Sequence, residues 1–434
     1  MSAPRPVATT AGQVPVRLFA LATAVIVLSL YLAQPLVGLI GPSLGLSIAA
    51  VSLVSTLTLL GYALGLFVLV PLCDLLENRR LVLVTLGANT LSLLAAACPL
   101  PVPVFLAASM LTGFTAAAIQ MLIPMAAAMT IEAQRGRVIG NIMSGLILGV
   151  LLSRPLASLI AGHYGWRASY AVLAVAVAVL TAALARALPR RQPPHASRYA
   201  ALLRSMLGLL REEPVLRRHA VTSALCFAAF NAFWSLVALR LAAAPFGLGP
   251  NGIALFTLAG VSGAVSAPLA GRLGDRGHGR RTAFVTHAIL VLALVLAWFG
   301  GHATTATLSG LAALVFAAVL LDAGTIADQA LGRRAINLLR PEARGRINGL
   351  FTGIFFLGGA LGSAIAGLAW THAGWSGVCF IALVFALLGA ASGLRHPACE
   401  TTPSNGLPLR RPPSPFIRPP DPAPETAPRC SRIC

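Results

Sequence analysis

The sequence predicts an all-α polytopic membrane protein, with twelve transmembrane helices in two pseudo-symmetric six-helix bundles. Three observations carry that prediction. Of 434 residues, 57% are hydrophobic and only 10% charged, with a mean hydropathy of +0.83, whereas soluble domains carry about 25% charged residues. The arginines collect in alternate connections between apolar stretches. A charged motif after the second stretch recurs after the eighth.

Crossing the hydrocarbon takes about 20 apolar residues. Twelve stretches qualify: 18–40, 49–72, 81–99, 103–129, 138–162, 167–187, 220–242, 251–273, 283–301, 305–328, 347–370 and 374–394. The first is long and contains Gln34-Pro35, so it reads as a span and not as a cleaved signal peptide. The loop between the sixth and seventh spans divides them six and six. The predicted organisation is an N-terminal tail (1–17), a first bundle (18–187), a linker (188–219), a second bundle (220–394) and a Pro/Arg-rich tail (395–434). "RYAALLRSMLGLLREE" in the linker reads as a surface helix. "RRPPSPFIRPPDPAPETAPR" in the tail cannot bury a core and reads as disordered.

Topology follows from the basic residues. All 32 are arginine, and the net charge is +20. One side holds Arg5 and Arg17, Arg79 and Arg80, Arg135 and Arg137, the linker, Arg272 to Arg281, Arg333 to Arg346 and the tail. On the other side, only Arg167 and Arg240 fall near "GPSLGLS", "CPLPVP", "GHYGW", "AAAPFGLGPNG", "GGHAT" and "THAGW". Both termini are therefore expected in the cytoplasm and the chain in the plasma (inner) membrane. The basic balance is accounted for by short loops, so no nucleic-acid partner is expected. The lipid bilayer and a small-molecule substrate are the expected partners. Seven cysteines with no CxxC pair give no metal site, and no G-x-x-x-x-G-K-[ST] loop points to nucleotide.

The recurring motif is "VPLCDLLENRR", with Asp74, Arg79 and Arg80, and "AGRLGDRGHGRR", with Asp275, Arg276, Arg280 and Arg281. An acid followed by arginines on a tight turn can cap a helix N-terminus and pair with acids on nearby loops such as Glu132. Such a lattice can hold one conformational state. Glycines four apart let membrane helices approach closely. Gly61/Gly65, Gly145/Gly149 and Gly358/Gly362, with Gly260 and Gly263, lie in the second and fifth spans of each half, as expected at the joint of two rocking bundles.

On these motifs the chain, over about residues 15–395, resembles the major facilitator superfamily. "GRLGDRGHGRR" is similar to its cytoplasmic signature G-x-x-x-D-R-x-G-R-R with one residue inserted. The first copy keeps Asp74, Arg79 and Arg80 but has Val70, Leu75 and Glu77 where the signature has Gly, Arg and Gly. "YLAQPLVGLI", "GLILGVLLSRPLASLIAGHYGWR", "FGLGPNGIALFTLAG" and "RPEARGRINGLFTGIFFLGGALGS" resemble its twelve-helix drug and sugar efflux permeases. The resemblance implies a secondary transporter, not an enzyme. It implies two bundles rocking about a midplane site, a proton gradient as energy source, no cofactor, and a monomer that supplies both halves. Export of a small organic compound by proton antiport is the leading expectation. Proton-coupled uptake of a sugar or organic anion, and a transport-inactive sensor or scaffold, are the alternatives.

The resemblance also implies that the first and fourth spans of each half line the cavity. They carry Tyr31, Gln34, Gln120, Asn231, Trp234 and Asp322. Asp322 is the candidate proton carrier. Asp328 is assigned to the loop lattice, and His287 to a satisfied interfacial position. Arg154 is the sole charge of the fifth span, where a charge costs about 2.5–3.5 kcal/mol on insertion scales. The span-four arginine of many proton-coupled members is missing from "AASMLTGFTAAAIQ", and Arg154 can supply that cation. Three readings stay open for it: binding an anionic group of the substrate, alternating between partners during transport, or snorkelling outward. Its depth differs from that of Asp322, so a direct bridge between them is not expected.

Overall fold

Residues 15–190, 199–303, 308–340 and 343–394 are described in the computed structural model, with their side chains except those at 74, 261–265 and 394. The expected tail at 395–434, most of the N-terminal tail and the Asp74 side chain lie outside the described residues.

Helices follow one another with short turns. The first half holds α1 (Val16–Tyr31, a 3₁₀ turn Gln34–Leu36, Val37–Leu44), α2 (Ile48–Val68), α3 (Asn78–Ala97), α4 (Val102–Ala116 and Ala118–Ala128), α5 (Glu132–Tyr164) and α6 (Trp166–Ala187). A linker helix, Tyr199–Glu212, follows. The second half holds α7 (Pro214–Ala242), α8 (Pro250–Thr257, a 3₁₀ turn Leu258–Ser262, Gly263–Leu273), α9 (Gly279–Gly301), α10 (Leu308–Asn337), α11 (344–372) and α12 (375–394). Among the described residues, ten continuous helices are long and apolar enough to span a membrane. Two of these run on through a turn, at Gly277 (φ 79°) and at Gly374 (φ 56°). Divided there, the chain makes twelve passes. The left-handed backbone of both turns suits glycine, which has no Cβ to clash.

Helix α7 begins at Pro214, six residues before the expected start. Proline at the first helical position has its φ pre-set and needs no donor. Arg217 turns back to donate to the Leu210 carbonyl (3.0 Å), satisfying the C-terminus of the linker helix. That helix is seated on the second half: Met206 and Leu209 pack with Leu216, Ala220, Ile336, Ile347 and Phe351. Arg340 reinforces the seat through Glu213 (2.6 Å) and Glu212 (3.2 Å), and Glu213 foremost raises the already high pKa of its guanidinium.

The glycine pairs sit elsewhere than expected. Gly61 and Gly65 of α2 lie against the Met110 and Phe114 backbone of α4. Gly145 and Gly149 of α5 face Ala20 and Ala24 of α1, and Gly358 and Gly362 of α11 face Ala224 and Ala228 of α7. All three pairs close helices within a bundle, not between bundles. The joint is made by α2 with α11, α5 with α8, and α1 with α7. At the end away from the arginine-rich connections, Ser363 donates to the Ser52 carbonyl (3.3 Å), and a Cβ on Gly162 would lie 3.2 Å from both Pro250 and Asn251. Toward the basic end, Tyr62 meets Phe356 edge-on with centroids 4.5 Å apart. Gly362→Leu is expected to destabilise the second bundle by about 1–3 kcal/mol through overpacking. A lower melting temperature in detergent checks this, with the linker-helix pairing unaffected.

Candidate functional site

The backbone irregularities converge near mid-membrane. Pro35 cannot donate a helical hydrogen bond, and α1 tightens there into the 3₁₀ turn Gln34–Leu36. Helix α8 does the same at Leu258–Ser262. Non-helical backbone is tolerated at membrane depth where protein encloses it, and here both breaks face one polar cluster.

Arg154 of α5 is 4% exposed. Its Nε donates to Gln34 Oε1 (2.8 Å), and Gln34 Nε2 donates to Asn231 Oδ1 (3.0 Å). The Asn231 amide in turn donates to the Phe227 carbonyl (3.0 Å). The guanidinium carbon lies 4.2 Å from the Trp234 ring centre, 5.2 Å from Tyr31 and 5.3 Å from Phe230. A cation held over aromatic faces gains up to about 2 kcal/mol when dehydrated. At the edge of the same indole, Trp234 Nε1 donates to Asp322 Oδ1 (2.7 Å). No ion pair joins Arg154 and Asp322 among the described residues; both contact the same indole, one on its face and one at its edge. Arg154 Nη2 is buried without a partner, and a buried unmade hydrogen bond on a charged group costs about 1–3 kcal/mol or more.

The structure thus brings together Tyr31, Gln34, Arg154, Asn231, Trp234 and Asp322, each less than a tenth exposed. Gln120 stands apart. Its amide reaches the Tyr62 hydroxyl (3.4 Å), in the aromatic layer formed with Phe356, Phe355 and Phe227 on the basic side of the cluster. Two further contributors are not among the site residues the sequence predicts. Phe230 is one helical turn from Trp234, a spacing legible as a shared face of α7. Gly260 gives room for the carboxylate: a Cβ there would lie 2.6 Å from Asp322 Oδ2. Gly260→Ala is expected to displace the Asp322 side chain and cut transport about tenfold or more at near-wild-type stability. Initial rates in proteoliposomes, alongside a melting curve, test it.

Among the described residues, the motif loops form few charge contacts. Asp275 pairs with Arg334 of α10 (2.7 Å), inside the second half. Arg79 donates to the Ala185 carbonyl at the end of α6 (2.6 Å). For Arg80, Glu132, Arg276, Arg280 and Arg281 no ion pair forms among the described residues, and Asp74 has no described side chain. The charges described here brace helices within each half.

Asp328 and His287 differ from their expected places. Asp328 is 7% exposed and accepts from Ser223 Oγ of α7 (2.5 Å). His287 of α9 is 3% exposed, with Nε2 3.8 Å from Asp328 Oδ1 and Nδ1 3.7 Å from Cys226 Sγ. Sequence position alone put Asp328 near a loop; helical phase turns it into the bundle.

The profile of the Major Facilitator Superfamily matches residues 19–249 and 219–420, which together take in both halves. The chain belongs to the major facilitator superfamily. Among its relatives, "Uncharacterized transporter YgaY" of Escherichia coli O157:H7 is 35% identical over 371 residues, covering 86% of this chain and 92% of the relative. "Probable transporter SCO4007" of Streptomyces coelicolor is 34% identical over 386 residues, covering 88% and 87%. The fold is similar to the nucleoside transporter NupG (TM-score 0.68, 14% identity, 87% of this chain and 97% of that one). It is also similar to a bacterial homolog of the human lysosomal transporter Spinster in an inward-facing, occupied conformation (TM-score 0.69, 13% identity, 87% and 95%). This major facilitator is therefore a multi-pass membrane transporter, with its mid-membrane polar cluster at the meeting of both halves.

Proposed function

We infer that the protein is a proton-coupled secondary transporter for a small organic compound bearing an anionic group, working by alternating access as a monomer with both termini in the cytoplasm. The observation that carries this reading is the indole of Trp234, with Arg154 on its face and Asp322 on its edge. Charge balance supplies the mechanism. With Asp322 ionised, the sealed cluster holds one cation and one anion and is neutral. A proton on Asp322 leaves Arg154 uncompensated, and burying a lone charge is costly. An anionic group at the unpaired Nη2 restores neutrality, so proton and anion enter together. Expulsion of both returns the cluster to its internally balanced state.

Charge balance in the cluster favours proton–anion symport, hence uptake down an inward proton gradient. Export by antiport is the second reading. It rests on the resemblance to efflux permeases, and it requires proton and substrate to exclude one another. Proteoliposomes with an entrapped pH dye separate the two. An inward gradient of each compound in a panel of organic anions, sugars and drugs is imposed without a pH gradient. Symport acidifies the lumen with an anion; antiport alkalinises it. If anions drive no proton movement while cationic drugs drive counterflow of protons, the symport reading is wrong.

A further inference from the structure

Inside the second bundle, on the basic side of the Arg154–Asp322 cluster, lies a group of side chains with no part in that mechanism. Cys226 comes from α7, His287 from α9 and Asp328 from α10. One ligand atom from each can be chosen so that all lie within 4.8 Å of one another. We propose that these three residues form a buried binding site for a divalent transition metal of the zinc type.

The donor set fits such an ion. Thiolate, imidazole and carboxylate are zinc ligands, at about 2.3 Å for sulfur and about 2.0–2.2 Å for nitrogen and oxygen in a tetrahedron. That places neighbouring ligand atoms roughly 3.5 Å apart. The present separations of 3.7 Å for Sγ to Nδ1 and 3.8 Å for Nε2 to Oδ1 are near that edge length. The imidazole uses a different nitrogen for each neighbour, so binding requires a modest turn of the ring and a contraction of about an ångström.

Three further features point the same way. His287 is enclosed yet poorly satisfied: a 3.8 Å approach to a carboxylate is no hydrogen bond, and a 3.7 Å approach to sulfur is a weak one. Asp328 is oriented from behind, because Ser223 donates to Oδ2 and leaves Oδ1 facing His287. Ligating carboxylates are held this way by outer partners. The α12 wall is cut away at two glycines one turn apart. A Cβ on Gly393 would lie 2.7 Å from His287 Nε2, and one on Gly389 would lie 3.2 Å from Cys226 Sγ.

Charge also balances. On binding, the Cys226 thiol gives its proton to solvent and the sulfur bonds to the metal as thiolate. Thiolate and Asp328 carboxylate then offset the two positive charges, and the complex is neutral in an apolar interior. A fourth position is left for water. The site would clamp α7 to α10, the helices that carry Trp234 and Asp322 further along.

The test uses the full-length chain in detergent, stripped with a chelator and titrated with Cd²⁺, whose thiolate bond gives an ultraviolet charge-transfer band. Cys226→Ser, Asp328→Asn and Ser223→Ala are titrated beside it, with Cys379→Ser as a control on another buried thiol. The expected result is one Cd²⁺ per chain in wild type and Cys379→Ser beyond that held by Cys226→Ser, and affinity about 10–100-fold weaker in Ser223→Ala. Zn²⁺ is expected to raise the melting temperature of wild type but not of His287→Gln. Size-exclusion profiles separate lost binding from lost fold. Should Cys226→Ser fail to fold, Asp328→Asn and Gly393→Ala carry the comparison. No Cd²⁺ band above that of the folded site variants, or equal loss in Cys379→Ser, overturns the proposal.

Discussion

Asp322→Asn is expected to abolish proton-driven flux while leaving substrate exchange intact. The asparagine oxygen can still accept from Trp234 Nε1, which now sits 2.7 Å from the carboxylate, so the indole and the guanidinium above it keep their places. What disappears is the exchangeable proton. Asparagine imitates the protonated acid, the state in which Arg154 seeks an anion. Uptake driven by a pH gradient should fall by about two orders of magnitude, as expected for loss of a functional intramembrane acid. Counterflow of labelled against unlabelled substrate should change by no more than about threefold, and its pH profile should flatten. Persistent pH-driven uptake would move the proton site elsewhere, with Asp328 the next acid to replace.

Arg154→Leu is expected to weaken substrate binding by about 10–100-fold, the equivalent of a charge-assisted hydrogen bond worth about 1.5–3 kcal/mol. It also strands Gln34 Oε1, which accepts from Nε at 2.8 Å. A stability loss of about 1–3 kcal/mol should accompany the change, since a buried acceptor is left unpaired. Arg154→Lys separates the two effects. It keeps the charge but not the planar fork or its stacking on Trp234, so it should recover stability better than affinity. Equilibrium binding and melting curves on the same samples read both. If both variants bind normally and only melt earlier, the arginine is structural and the anion reading fails.

Much of this was legible in the residues. The spans follow from apolar length, because every backbone group in hydrocarbon must be satisfied within a helix. Arg154 and Asp322 stood out because a charge there is expensive. Their relation through Trp234 was not legible, since depth counting gives height along a helix but neither rotation nor neighbour. The same gap explains the glycines. Spacing of four shows that a face is small; it does not show which helix comes against it, and Gly145 and Gly149 turn to α1 of their own bundle. Cys226, His287 and Asp328 carry no motif at all, because their ligand geometry exists only once three helices pack.

The sequence by itself therefore determined the spans, the division into halves and which polar residues had to be explained, because these depend on local composition and on the free energy of placing one group in hydrocarbon. Only the tertiary structure decided which polar residues are partners. It set Arg154 on the face and Asp322 on the edge of one indole, and it drew Asp328 away from the loops to Ser223 and His287. The physical reason is that a hydrogen bond or a cation–aromatic contact depends on sub-ångström distance and on helix phase. Those quantities are set by how neighbouring helices interlock, not by any one of them alone.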